Sequence, residues 1–340
     1  MGALRLAIDV MGGDQGPRVI IEGSARAVIE RPDLELALFG PRQRVVAELS
    51  RLPQPLAAAA SRLVVCDAPD TVSQDASAAW ALRSGDKTSM VHMLRYVAQG
   101  YAAAGVSAGN TGALVALARR ELGMLPGFSR PAISTAIPAR GGRRCYLLDL
   151  GANVDSPASR LVDFAMMGAA MAQCMDGINC PRVALLNVGA EATKGSATVR
   201  EADRLLRERA TTLSFAYQGY AEGGDIFQGD IDVMVCDGFV GNVVLKASEG
   251  LTRMLVERVQ MAFESRLCGR LAGLLAKPVL KRLKQELDPV RYNGASLLGL
   301  KRIVVKSHGG ARADGFYYAI QRALQEVEHD LPTQLAKRWA

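Results

Sequence analysis

The sequence predicts an α/β fold of three layers, α/β/α, around a mostly parallel sheet, carried by a single 1–340 domain with a helical hairpin excursion. Three observations predict it. Strand-length apolar runs recur with helical segments between them. Most of those runs are continuously apolar, as expected of strands covered on both faces. The chain also holds 34 glycines against 5% aromatic residues, which suits tight strand-to-helix turns. At 340 residues, 49% apolar and 22% charged, it can bury a large core, and disorder is excluded.

The elements follow in order. "LRLAIDV" is a strand that leads to a helix opening at Pro17, and "LELALFG" leads to one opening at Pro41. "RLVVCD" is a third strand, preceded by "PQPLAAAAS" (53–61), which reads as a connecting loop. "DKTSMVHMLRYVAQG" has helical periodicity, and further strand runs come at "AGVSAG", "PAISTAI", "RCYLLDLG", "RVALLNVG", "IDVMVCDG" and "RIVVKSHG".

Charge is concentrated in one place. From Arg253 to Lys306 there are twelve basic and four acidic residues, a net +8 in a chain of +7, so the remainder is close to neutral. Within about 251–290, Leu255, Val259, Phe263, Leu267, Leu271 and Leu274 recur at spacings of four and three. Past Pro278, Leu280, Leu283 and Leu287 continue the stripe beside Lys281, Arg282 and Lys284. The pattern is a basic amphipathic helical pair. It is either a surface hairpin packed on the core or a second subunit, or a surface for anionic headgroups or an acidic protein.

Several function classes are excluded. Apolar tracts fall short of the ~20 residues of a spanning helix, and the N-terminus does not read as a secretory signal. Six cysteines without a CxxC pair suit a reducing cytoplasm. No aromatic stacking set accompanies the basic residues, so nucleic acid is not expected as a partner. "GAEATKGS" has Gly195 where a P-loop needs Ser or Thr, and the glycine turns miss the GxGxxG spacing. No GxSxG elbow occurs, and the three histidines lack metal-ligand spacing.

The strand ends carry the chemistry. Six runs finish in glycine plus a polar group: "AIDVMGGDQGP", "VSAGNTGAL", "LLDLGANVDSP", "LLNVGAEATKGS", "CDGFVGN" and "VVKSHGGA". Ligands of open α/β sheets bind beyond the carboxyl ends of strands, where glycine lets backbone amides and helix N-termini approach an anion. Six such ends suggest one shared anion crevice, although each turn alone is also ordinary turn chemistry.

These stretches, in order and spanning essentially the whole chain, resemble the bacterial fatty acyl-acyl-carrier-protein:phosphate acyltransferases of phospholipid synthesis, with departures at Ala190, Ala192, "GYAEGGD" and Gly310-Ala311. The resemblance implies transfer of a long-chain acyl group from acyl carrier protein to inorganic phosphate. The acyl phosphate then serves a membrane glycerol-3-phosphate acyltransferase. It also implies a fold like that of phosphotransacetylases and isopropylmalate dehydrogenases, a homodimer, no cofactor, and a cytoplasmic protein associated peripherally with the membrane.

Such a reaction needs no covalent relay. Phosphate is already an anionic nucleophile near neutral pH, and a thiol of pKa about 8.5 leaves readily as thiolate. The protein must supply a polar cage and donors for the developing oxyanion. Gly109, Asn110, Thr111 and Gly112 are candidates to cradle the anion at a helix N-terminus, with Lys194 and Lys306 adding positive charge. His308 is a candidate donor or base toward phosphate, and Asn242 an oxyanion donor. Asp9, Gly12, Gly13, Asp14, Asp149 and Asn153 complete the expected substrate-binding set. Asp237 and the other carboxylates are expected to orient cations rather than face phosphate. In the hairpin, Arg266, Arg270, Lys281, Arg282 and Lys284 are expected to steer the carrier, with Leu271 and Leu274 at the bilayer. The alternatives are a short-chain phosphotransacylase using coenzyme A and a non-catalytic carrier-binding or membrane scaffold.

Overall fold

The computed structural model describes residues 4–191, 193–264 and 289–339, with Ala276 and Pro278 between them. Among these residues one sheet of eleven strands runs in the order β3-β2-β1-β4-β11-β10-β5-β6-β9-β7-β8. The strands are β1 (Leu4–Asp9), β2 (Leu34–Gly40), β3 (Leu63–Asp67), β4 (Ala104–Ser107), β5 (Ala132–Pro138) and β6 (Arg144–Leu148). They continue with β7 (Arg182–Leu186), β8 (Ala216–Ala221), β9 (Val233–Val235), β10 (Ala295–Leu298) and β11 (Ile303–Lys306).

The sheet is two parallel blocks of opposite direction. β3, β2, β1, β4 and β11 pair in parallel, and so do β6, β9, β7 and β8. Between the blocks, β10 is antiparallel to both β11 and β5, and β5 is antiparallel to β6. The blocks run in opposite directions, and the register Val305–Ser296–Ser134–Leu148 brings their carboxyl ends to the same level across the sheet.

Side-chain alternation sends residues of each strand to two helical layers. Leu6, Ile8, Leu36 and Leu38 pack with Ile20 and Ile21 of α1 (Pro17–Glu30) and Phe316 and Ile320 of the helix Ala313–Glu328. On the other face, Ala7 and Ala37 meet Met90, Met93 and Val97 of the helix Ser89–Ala98 and Leu114 and Leu117 of the helix Thr111–Leu122. In the second block, the helices Ala158–Asp176 and Ala197–Glu208 cover Tyr146, Leu148, Val183 and Val233.

Several local readings change. Two strands, β8 ("AYQGYA") and β10 ("ASLL"), were not expected. Each is short or broken by glycine and polar residues, so no apolar run marks it. The expected loop 53–61 contains a one-turn helix, Gln54–Ala57. Pro41 occupies the cap before the helix Arg42–Leu49 rather than its first turn.

The hairpin is described only at its start. The helix Gly238–Glu264 leaves the body with Leu251, Met254, Leu255, Val259 and Met261 exposed. Arg266, Arg270, Leu271, Leu274, Lys281, Arg282 and Lys284 lie outside the described residues.

Candidate active site

Three strands of the first block place Asp9, Ser107 and Lys306 in one register row. Parallel strands in register put the three side chains on one face of the sheet. Lys306 is 9% exposed, and its ammonium donates to the carbonyls of Ala108, at 3.3 Å, and Ser307. Burial lowers its pKa to about 8, against the opposing pull of Asp14 and Asp9. Asp9 is buried, and burial raises its carboxyl while the hydroxyls of Ser89 and Ser107 act the other way.

The loops after these strands close around Lys306. A Cβ on Gly12 would lie 2.4 Å from the Gly109 amide nitrogen, so only glycine lets the two loops touch. Asp14 donates its amide to Gly309 at 2.8 Å, which brings it beside the loop of His308. The Gly310 amide donates to His308 Nδ1 at 3.0 Å, which leaves Nε2 to carry the proton of the neutral ring. His308 itself is exposed.

Beyond β4, Asn110 caps the helix Thr111–Leu122. Its Oδ1 accepts the Ala113 amide at 2.8 Å, while Nδ2 donates to the carbonyls of Gln74, at 2.5 Å, and Ala76, at 3.0 Å. Both protons of that side chain are used, so it has no donor left for an anion. The amides of Thr111 and Gly112, in the first turn, have no intrahelical partner. The anion cradle thus narrows to backbone donors at a helix N-terminus.

A different arrangement follows the strands of the second block. Asp149 is fully buried, and its carboxylate accepts the amides of Ile133 (2.9 Å), Ala152 (3.1 Å) and Asn153 (2.7 Å) and the Asn153 side chain (2.9 Å). Asn153 Nδ2 also reaches the Pro131 carbonyl at 2.9 Å. Both side chains tie the loop after β6 to the start of β5, and the two protons of Asn153 Nδ2 are used in doing so. Asp237 caps the helix Gly238–Glu264 through the Val240 amide at 2.8 Å. A Cβ on Gly241 would fall 1.9 Å from the Asp149 carbonyl oxygen, so the glycines of "DGFVGN" serve this packing. Asn242 is half-buried over Gly151.

Lys194, after β7, is exposed and paired with Glu191 at 2.7 Å, which raises its pKa. It follows the same block as Asp149 and Asp237. The six strand ends come in two sets, Asp9, Gly12, Gly13, Asp14, Gly109–Gly112, Lys306 and His308 after the first block and Asp149, Asn153, Lys194, Asp237 and Asn242 after the second. The register Val305–Ser296–Ser134–Leu148 brings the two sets to one level of the sheet from opposite directions.

A cleft of about 470 Å³ lined by Met11, Pro41, Arg44, Asp70, Trp80 and Thr88 opens beside the first group. Another, of about 390 Å³, lies at Arg207, Phe215 and Tyr217, around β8 and the helix before it. Ser89 and Ser107, which bind Asp9, were missed in the sequence. Ser107 ends the quoted "VS" of a strand run, and Ser89 follows a Thr88 helix cap; hydroxyls at such places usually read as turn chemistry. Among the described residues no cluster of His, Cys, Asp or Glu is arranged to hold a metal ion.

The profile of the fatty acid synthesis protein family matches residues 4–334. A phosphate acyltransferase of Stutzerimonas stutzeri is 50% identical over 338 residues, covering 99% of this chain and 93% of its own, and one of Pseudomonas syringae pv. syringae is 49% identical, covering 99% and 97%. The crystal structure of a phosphotransacetylase from Streptococcus pyogenes superposes with a TM-score of 0.63 at 18% identity, covering 96% and 94%, and so shares the fold. By the profile match and these identities, the chain belongs to the fatty acid synthesis protein family, beside the phosphate acyltransferases.

Proposed function

We propose that the protein, acting as a single 1–340 domain, is an acyltransferase that moves a long-chain fatty acyl group from acyl carrier protein to inorganic phosphate. A phosphate oxygen attacks the thioester carbonyl, the C–O bond forms, the C–S bond breaks, and the carrier thiol leaves as thiolate. The observation that supports this reading is Lys306, a buried cation bonded to the Ala108 carbonyl on the loop that leads into the helix Thr111–Leu122, whose first amides have no intrahelical partner. A cation and free amides at a helix N-terminus both favour an anion.

Each side chain then has a physical task. The Lys306 ammonium offsets the charge of phosphate, and the amides of Thr111 and Gly112 hold its oxygens or the developing oxyanion. His308, with Nε2 carrying the proton of the neutral ring, donates to phosphate from the exposed side. Asp14 and Asp9 hold the lysine charged. The cleft at Met11, Arg44 and Trp80 gives the thioester arm an approach beside the first set.

Incubating the purified protein with palmitoyl-acyl carrier protein, with and without phosphate, tests the reading. Phosphate-dependent acyl phosphate, trapped with hydroxylamine, is expected. None from folded protein overturns the reading, and turnover of acetyl-coenzyme A in its place selects the short-chain alternative.

The basic segment supports a cytoplasmic homodimer that docks on the membrane surface and hands acyl phosphate to the glycerol-3-phosphate acyltransferase there. Exposed Leu251, Met254, Leu255 and Val259 lead into it. Among the described residues no helix is long and apolar enough to cross a membrane. Wild-type protein should float with anionic liposomes, and Leu271→Glu with Leu274→Glu should abolish flotation; unchanged flotation removes the membrane contact.

A further inference from the structure

A buried hydroxyl, carboxylate and hydroxyl chain lies behind Lys306. Asp9 Oδ1 accepts the Ser89 hydroxyl at 2.6 Å, and Oδ2 accepts the Ser107 hydroxyl at 2.7 Å. The Met11 amide adds a longer bond to Oδ1, at 3.3 Å. Asp9, Ser89 and Ser107 are sealed from water at 2%, 1% and 0% exposure. Ser107 also accepts the Gly109 amide at 3.0 Å, so its oxygen is fixed from one side and its proton is aimed at Asp9 from the other.

The chain joins the parts of the proposed cage. Ser89 is the first residue of the helix Ser89–Ala98, so Asp9 also sits at a helix N-terminus that favours an anion. Gly109 begins the loop that presents Thr111 and Gly112. Asp9, Ser107 and Lys306 share one row, with two strand spacings, about 10 Å, between the carboxylate and the lysine strand. The charged groups acting on Lys306 are Asp14, exposed on the loop after β1, and Asp9. Its hydrogen-bond acceptors from β11 and the loop after β4 are the neutral carbonyls of Ser307 and Ala108.

A buried cation and a buried carboxylate each cost less in the presence of the other, and three donors on the carboxylate favour its ionised form. We propose that Ser89 and Ser107 are positioning residues for acyl transfer: they hold Asp9 as the anion that keeps the Lys306 ammonium in place for incoming phosphate. Neither serine touches phosphate. The proposal rests on the reading of Lys306 given above.

The test is kcat and the KM for phosphate, measured with palmitoyl-acyl carrier protein from neutral to alkaline pH. Ser107→Ala and Ser89→Ala are each expected to raise the phosphate KM by about 3- to 10-fold and to move its alkaline rise down by about half a pH unit, with kcat changed less. Ser107→Thr, which keeps the hydroxyl, is expected to restore both. A purely structural serine would alter Tm and leave the pH position of the KM untouched. An unshifted profile in the folded alanine variants overturns the proposal. Where Ser107→Ala does not fold, Ser89→Ala decides by the same criterion. Lys306→Ala separates this proposal from its premise. If that variant keeps a normal phosphate KM, the phosphate site itself is misplaced. If it loses phosphate while both serine variants stay normal, only the positioning role falls.

Discussion

Two buried carboxylates, Asp9 and Asp149, end strands of the same sheet and look alike in sequence, each followed within a few residues by glycine. Around Asp149, backbone and side-chain donors come from its own loop and from β5, and Asn153 carries the bonding on only to the Pro131 carbonyl. Around Asp9, two donors are hydroxyls from separate elements, and the network continues to Gly109 and borders a buried lysine. A saturated carboxylate fastens the chain, whereas one with a cation and unused amides nearby sets up a site. What distinguishes architecture from chemistry here is hydrogen-bond capacity left over after folding.

The largest expected effect follows from the first half of that contrast. Asp149→Ala strands four buried donors and should lower unfolding free energy by about 3 kcal/mol or more, with activity lost only as the folded fraction falls. Urea unfolding followed by circular dichroism measures this; normal stability would show that Asp149 is not a fastener.

Lys306→Ala should do the reverse, lowering acyl phosphate formation by about 100-fold while lowering stability less than Asp149→Ala does. The pH dependence sharpens this. With the Lys306 pKa lowered to about 8, the free enzyme loses its ammonium as pH rises through that value, so kcat/KM for phosphate falls on the alkaline side. The Lys306→Ala profile should lack that limb. Retention of the limb would move the titration to another group.

The smallest effect is expected at Lys194, which is exposed and paired with a neighbour on its own loop. Lys194→Ala should leave Tm unchanged and acyl phosphate formation within about twofold. A larger loss of activity would mean that the ends of the second block also take part, and would break the contrast between the two sets.

The sequence made the layers legible because nine of the strands are apolar runs set between helical periods. β8 carries Gln218 and Gly219 in its middle, and β10 has four residues, so neither leaves a periodic trace. Strand direction is not a local property. "LLDLGANVD" and "VSAGNTGAL" read as equivalent ends, and only pairing across β10 and β5 shows that they point in opposite directions. The candidate residues around Lys306 were legible as types, but the cap made by the Asn110 side chain was not, and Ser89 and Ser107 were passed over. In each case the deciding fact is a partner distant in sequence.

The position of β11 bears on how the protein is made. Residues Ile303–Lys306 insert in mid-sheet, alongside a strand formed by residues 104–107. During synthesis, β4 therefore keeps an open hydrogen-bonding rim while nearly two hundred intervening residues leave the ribosome. Chaperone protection is most needed in that interval, and Lys306 arrives on the strand that ends it. A nascent chain stalled before β11 would lack Lys306 and keep that rim open to self-association.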